Sequence, residues 1–348
     1  SSAASDVYKR QIYMSRKIIV FGATGTLGTH IAIYLQQKGY QVYAVGHRKS
    51  DNGFFGDYNI PYYSLNIEDI EQFDQLPQSD ISTVLHFAGA LPATMEGYAP
   101  HKYIDSIVKG TLNVLEYTRK CSATKIIFPQ SLFDISYLFG SKTPISPDAV
   151  RKAPMTGDHA IYVIAKMAAV DLIEHYYHIY GIKRFILRLP RIYMFHPNPY
   201  TYTDGIKCLI SDRYLIEQAI KGETIEIWGD PERLLETICV KDFLQIIEKC
   251  VESPLDGGIY NVGSGGSTLK ERILGIVEVF SPKEHPSPII YCPEKKSSQQ
   301  FVLDIRKTME QLKYTPQYNW KEYLLDFKKE MEVQPFKKLW GESKDYTK

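Results

Sequence analysis

Lys17-Ile18-Ile19-Val20-Phe21-Gly22-Ala23-Thr24-Gly25-Thr26-Leu27-Gly28 decides the fold. The first five residues are a continuous apolar run bounded by glycine, the pattern of a strand buried on both faces of a parallel sheet. Beyond them Leu27, Ile31 and Leu35 recur at near-helical spacing. The glycines therefore fall where a strand hands over to a helix. A helix start offers free backbone N–H groups and the positive end of the dipole, which suits a phosphate. Glycine also lets the backbone approach a pyrophosphate with no Cβ in the way. The spacing is Gly-x-x-Gly-x-x-Gly rather than the commoner Gly-x-Gly-x-x-Gly, and Gly22, Thr24, Gly25, Thr26, Leu27 and Gly28 are the expected dinucleotide contacts.

Outward from this stretch, strand-like segments at 41–45, 62–65, 83–87, 125–128 and 184–189 alternate with helical patterns at 25–38, 67–76, 103–119 and 160–180. Such alternation predicts an α/β fold: a Rossmann-type doubly wound parallel sheet with ligands beyond the carboxyl ends of its strands. Residues 14–190 form the expected dinucleotide-binding domain, with a return segment at 236–263. Residues 191–235 and 264–332 form a smaller α/β substrate lobe, and 333–348 a polar tail. Residues 1–13 are polar and patternless, and Met14 reads as a natural start, so 1–13 are set aside as an extension foreign to the fold.

The chain has 348 residues, 44% of them hydrophobic, enough for a full core and a second lobe. Its 41 basic and 40 acidic residues nearly cancel, without the basic run expected of a nucleic-acid binder. No apolar stretch approaches the roughly 18 residues that cross a bilayer. Five scattered cysteines show no ligand spacing, so the expectation is a reduced, cytoplasmic protein with no metal.

The reactive candidates are Ser131, Tyr162 and Lys166. Tyr-x-x-x-Lys, which stacks a phenol and an ammonium on one helix face, occurs five times, starting at Tyr13, Tyr34, Tyr98, Tyr162 and Tyr291. Position singles out Tyr162, near the start of a long helix and downstream of a strand that delivers Ser131 to the carboxyl edge of the sheet. The three make an acid/base unit for moving a hydroxyl proton while hydride leaves the same carbon. A tyrosine pKa near 10 is too high for a base at neutral pH. A cation about 4 Å away favours tyrosinate by roughly 4 kcal/mol at an effective dielectric of 20, before any desolvation cost. Tyr34, on the helix after the glycine loop, is explained by packing.

These motifs resemble the extended short-chain dehydrogenase/reductase family, the NAD(P)-dependent sugar epimerase/dehydratase group. The resemblance runs from Lys17 to about Glu332 and adds Val84 to Ala90, Gly110 to Glu116, Ile186 to Tyr193, Ile238 to Phe243 and Ile259 to Gly263. It implies cofactor contacts from Ala88, Gly89, Lys166 and Pro190, and a homodimer through the helices at 103–119 and 160–180. It also implies a nucleotide-linked sugar as the small-molecule substrate. Departures narrow it. Dehydratases of the group follow the active-site Ser or Thr with an Asp-Glu pair, where Leu132 and Phe133 stand here. The usual diphosphate-gripping arginine is Leu235, which leaves Arg233 and Arg191 as substrate ligands beside Ser131. His196 matches an acid/base histidine of the GDP-fucose synthases, or is a loop residue. After the second strand, His47 and Arg48 replace the acidic ribose ligand of NAD sites, which predicts NADP with NAD as the alternative. Asn66 stands where an adenine-facing Asp is usual. The expected activity is NAD(P)-dependent epimerisation or reduction of a sugar-like carbinol or ketone. A reductase of a non-nucleotide ketone or aldehyde, and a non-catalytic dinucleotide sensor, are the rivals.

Overall fold

The computed structural model describes residues 16–92, 98–157 and 159–346; the extension expected at 1–13 lies outside them. Six strands run in chain order: β1 (Lys17–Phe21), β2 (Gln41–Gly46), β3 (Tyr62–Ser64), β4 (Ile81–His86), β5 (Lys125–Ser131) and β6 (Lys183–Leu189). With Gly257–Asn261 they form one seven-stranded sheet in the order Gly257–Asn261, β6, β5, β4, β1, β2, β3. Every pairing is parallel. The order reverses direction between β1 and β4, the switch point beside which such sheets bind ligands.

Both faces are buried, as the unbroken apolar strands require. Ile18 and Val20 face one core cluster, while Ile19 and Phe21 face the other. The first core takes in the helix Thr26–Gln37 and the helix Val240–Glu252; the second takes in Gly110–Lys120 and Ala160–Tyr180.

Two expected helices differ. The segment at 67–76 shortens to a 3-10 turn, Ile70–Gln75, because Asp69 claims the Glu71 N–H at its start. The helix at 103–119 begins earlier, at Pro100, and widens into a π turn at Ile104–Lys109 before Gly110–Lys120. Gly110 is packed so closely that a Cβ there would lie 2.7 Å from Ile67 Cδ1.

The smaller lobe is a set of two-stranded pieces, chiefly Ile225–Trp228 with Ile289–Cys292 and Arg191–Tyr193 with Thr237–Cys239. The helices Ser211–Lys221, Leu269–Phe280 and Trp320–Val333 close it around its own core, which includes Ile216, Ile227, Ile276 and Phe327. The expected polar tail is instead a packed element: the turn Lys337–Trp340 buries Leu339 and Trp340. Among the described residues no helix is long and apolar enough to cross a membrane, and no group of His, Cys, Asp and Glu could hold a metal ion.

Candidate active site

The glycine loop joins β1 to the helix Thr26–Gln37. Gly22 has φ +82°, and a Cβ there would sit 2.6 Å from the Phe87 carbonyl carbon, so the loop lies against the chain leaving β4. A Cβ on Gly28 would lie 2.1 Å from the Gly22 oxygen. Only glycine fits either position. The helix is capped by Gly25, which offers no side chain to its first N–H groups, and no acidic residue stands in its first turn. Thr26 and Leu27 are partly exposed there. A bare helix start inside a cradle with no room for Cβ atoms fits a dinucleotide pyrophosphate. Ala88 adjoins the same loop, its nitrogen 2.7 Å from the position of a Gly22 Cβ, and Gly89 follows with φ +143°. Pro190 is buried at the end of β6. Asn66 is exposed beyond β3, where its side chain accepts the Glu68 N–H at 3.1 Å.

Ser131 ends β5, paired with Leu189 of β6 at the carboxyl edge of the sheet. Its hydroxyl accepts the Phe133 N–H at 3.2 Å, and its own N–H donates to Gln130 Oε1 at 3.0 Å. Below it Asp134, fully buried, accepts two bonds from Arg188, at 2.8 and 3.1 Å, and one from Gln130 at 3.2 Å. That network fixes the turn carrying Ser131.

Tyr162 stands in the first turn of Ala160–Tyr180, its ring edge-on to Tyr103 at 5.9 Å. Lys166, one turn on, is buried; its Nζ donates to the Pro129 carbonyl at 3.0 Å and lies 4.3 Å over the Phe128 ring. The helix thus brings Lys166 to the last residues of β5, which ends at Ser131, and carries Tyr162 one turn earlier. The electrostatics differ from the expectation. Burial lowers Lys166 from 10.5 to about 7, disfavouring its charged form. The Tyr162 phenol is raised above its ordinary value, by burial first and by Tyr103 second. Desolvation penalises both charged forms and is the largest cause at each. Beside them His86, fully buried, holds Thr111 Oγ1 at 3.0 Å and is pushed down to about 3 by burial and then by Lys166. Tyr34, as expected, is used in packing and donates to Glu248.

A cavity of about 1110 Å³ opens in the smaller lobe. Arg191 connects it to the sheet edge: it lies two residues beyond Leu189, which pairs with Ser131, and lines the cavity wall. Arg233 and Arg272 line it too, together with Leu235 and Trp228. Arg191 is held by Asp212 at 3.1 Å, and Arg233 donates to Ser298 Oγ at 2.7 Å. Arg233 Nε and Arg272 Nη2 are buried without a protein partner. Arg272 lies 4.6 Å over the Trp320 ring, and burial lowers the pKa of both arginines. Sequence reading missed Arg272. The signal was there: a charge among Leu269, Ile273 and Ile276 on the apolar face of one helix.

His196 is elsewhere. Its Nδ1 accepts the Asn198 N–H at 3.0 Å, its ring lies tilted against Trp340 at 4.7 Å, and burial lowers it to about 4. His47 is exposed. Arg48 leaves the end of β2 as expected, but its Nη1 donates to the Leu339 carbonyl of the C-terminal segment.

Residues 18–263 match the model of the NAD dependent epimerase/dehydratase family. The chain belongs to that family. Its relatives include a UDP-glucose 4-epimerase of Halalkalibacterium halodurans, 23% identical over 315 residues, 86% of this chain and 91% of the relative. A crystal structure of UDP-glucose 4-epimerase with UDP-glucose from Thermotoga maritima has the same fold, with TM-score 0.72 and 22% identity over 91% of this chain and 99% of that one. The Thermus thermophilus UDP-glucose 4-epimerase complex with NAD matches at TM-score 0.68 and 20% identity, covering 92% of this chain and 99% of that one.

Proposed function

We propose that the protein is an NAD-linked epimerase of a nucleoside-diphosphate sugar, acting at a ring carbinol, and that a UDP-hexose epimerised at C4 is its substrate. The observation that supports this reading is that Arg191, two residues beyond the Leu189 that pairs with Ser131, lines a cavity whose Arg233 and Arg272 keep buried N–H groups unpartnered. Unpaired buried donors on cations are costly unless a ligand accepts them, and a diphosphate does so with charge-assisted bonds. Leu235 offers no such bond, and Arg272 supplies the charge it lacks. The relatives' specificity for UDP-sugars supports the choice of nucleotide.

NAD when bound supplies a hydride acceptor that gives the hydride back. Ser131 holds the sugar hydroxyl oxygen. Tyr162 takes the hydroxyl proton as the carbinol becomes a ketone, and returns it when the ketone is reduced from its other face. Before that step Lys166 takes the Tyr162 proton, leaving tyrosinate beside an ammonium; accepting the sugar proton then returns Tyr162 to the phenol, so the two act as a coupled acid/base unit. NAD is preferred over NADP because Arg48 is engaged by Leu339. Exposed apolar side chains on the helices flanking the site, Ile104, Leu112, Ile164 and Ile179, support a homodimer through them.

The test is thermal protection. UDP and UDP-hexoses should raise the melting temperature of the intact protein, and Arg272→Met should abolish that rise, since each charge-assisted bond lost weakens binding by about 10- to 100-fold. Protection of Arg272→Met equal to that of the intact chain would remove the diphosphate from this cavity.

A further inference from the structure

Beyond the helix Trp320–Val333 the chain turns at Gln334, φ +46°, and runs back over the dinucleotide domain. It lands at the carboxyl ends of β1 and β2. Trp340 Nε1 donates to the carbonyl of Thr24 in the glycine loop at 3.2 Å. Asn52 Nδ2 donates to the Lys338 carbonyl at 3.1 Å, and Lys338 Nζ returns bonds to the Gly53 carbonyl at 3.0 Å and Asp57 at 2.6 Å. The ring of Phe336 lies 4.8 Å from His30 and 5.9 Å from Phe54. From the smaller lobe, the His196 ring packs tilted against Trp340. The segment is thus a strap fastened to the glycine loop, to the loop after β2 and to the lobe, with Leu339 and Trp340 almost wholly buried. At its centre the Leu339 carbonyl holds Arg48.

We propose that this strap, Phe336–Tyr346, selects the dinucleotide: by occupying Arg48 it withholds that guanidinium from a ribose 2′-phosphate, and so makes the site one for a 2′-hydroxyl. This rests on the reading of the glycine loop as a dinucleotide site. A carbonyl and a phosphate compete for the same planar donor. The Leu339 carbonyl takes one of the five Arg48 N–H donors and fixes the direction of the guanidinium, so a 2′-phosphate that needs it turned toward the ribose must break this bond, whereas binding NAD leaves the strap in place. His47 and Lys49 are exposed on the same loop and add general positive potential without being tied to the strap. Basic residues after β2 therefore do not by themselves specify NADP in this chain; the strap decides whether Arg48 takes part.

The experiment measures NAD and NADP dissociation constants by calorimetry on the full chain and on Asn52→Ala/Lys338→Ala, which cuts three strap fastenings and leaves Arg48 intact. Hydrogen exchange at the amides of residues 337–341 reads strap release directly. Trp340→Ala, which removes the Thr24 and His196 contacts, is the second variant should the first leave the strap protected. The full chain should bind NAD more tightly than NADP. In the released variant NADP should gain about 10- to 100-fold, the range of one charge-assisted bond, while NAD changes little. Because Lys338→Ala removes a positive charge, a gain for NADP has no general electrostatic source. Adding Arg48→Ala to the released variant should erase the gain. A full chain that prefers NADP, or a released strap with an unchanged NAD to NADP ratio, overturns the proposal while leaving the dinucleotide site standing. A full chain that binds neither dinucleotide overturns the site itself.

Discussion

Replacing Lys166 by methionine should stabilise the dinucleotide-free protein at neutral pH while removing its chemistry. The ammonium is buried and its pKa falls from 10.5 to about 7. An unfolded chain keeps this proton up to about pH 10.5, whereas the folded chain releases it near 7. Between those values the unfolded state binds the extra proton, so stability rises as pH climbs from 7 to 10.5; below 7 the whole penalty persists. A displacement of that size corresponds to roughly 5 kcal/mol at about 1.4 kcal/mol per unit. Methionine fills similar volume without the charge, but strands the Pro129 carbonyl that Lys166 serves at 3.0 Å, which costs about 1–3 kcal/mol. The net is a stabilisation of roughly 2–4 kcal/mol at pH 7 that vanishes or reverses by pH 10.5. Urea unfolding of both proteins at pH 7 and pH 10 measures it. A difference that is unchanged between the two pH values, or a Lys166→Met protein less stable at pH 7, would refute the reasoning and return Lys166 to the role of a permanently charged partner of Tyr162.

Tyr162→Phe should lower turnover about 10²- to 10⁴-fold, the range for a general acid/base, with NAD affinity by calorimetry nearly unchanged; near-normal turnover would reduce Tyr162 to its packing contact with Tyr103. His86 predicts acid lability. The unfolded chain protonates this ring near 6.5 and the folded chain only at about 3, so stability is lost as pH falls through that window, by up to roughly 5 kcal/mol. His86→Phe, which keeps a ring against Phe21 and Phe128, should flatten the stability profile of denaturant midpoints between pH 6.5 and 4; an unaltered slope would place the acid sensitivity elsewhere.

Most of the frame was legible from local pattern. The glycine loop, the unbroken apolar strands and the placement of Ser131 upstream of Tyr162 are each written in a few adjacent residues, and strand-to-helix alternation ordered them. What escaped was set by contacts distant in sequence. Arg48 lies where expected, yet its partner is a carbonyl in the C-terminal strap, a pairing that leaves no trace around either residue. Phe336, Leu339 and Trp340 do carry an i, i+3, i+4 apolar signal, but the lysines and glutamates around them read as tail. The desolvation cost at Tyr162 and Lys166 depends on how deeply the fold buries them, which the spacing of the two residues does not carry. Arg272 was hidden by the helix pattern that contains it.

Hydride transfer within one site is tested most directly by NMR of UDP-glucose carrying deuterium at sugar C4, incubated with the protein and NAD. UDP-galactose should form with the deuterium retained at C4 and without accumulation of free NADH. Loss of the label to water, or no epimer from any UDP-hexose while a simple ketone is reduced at the expense of NADPH, would contradict the epimerase reading and favour the reductase.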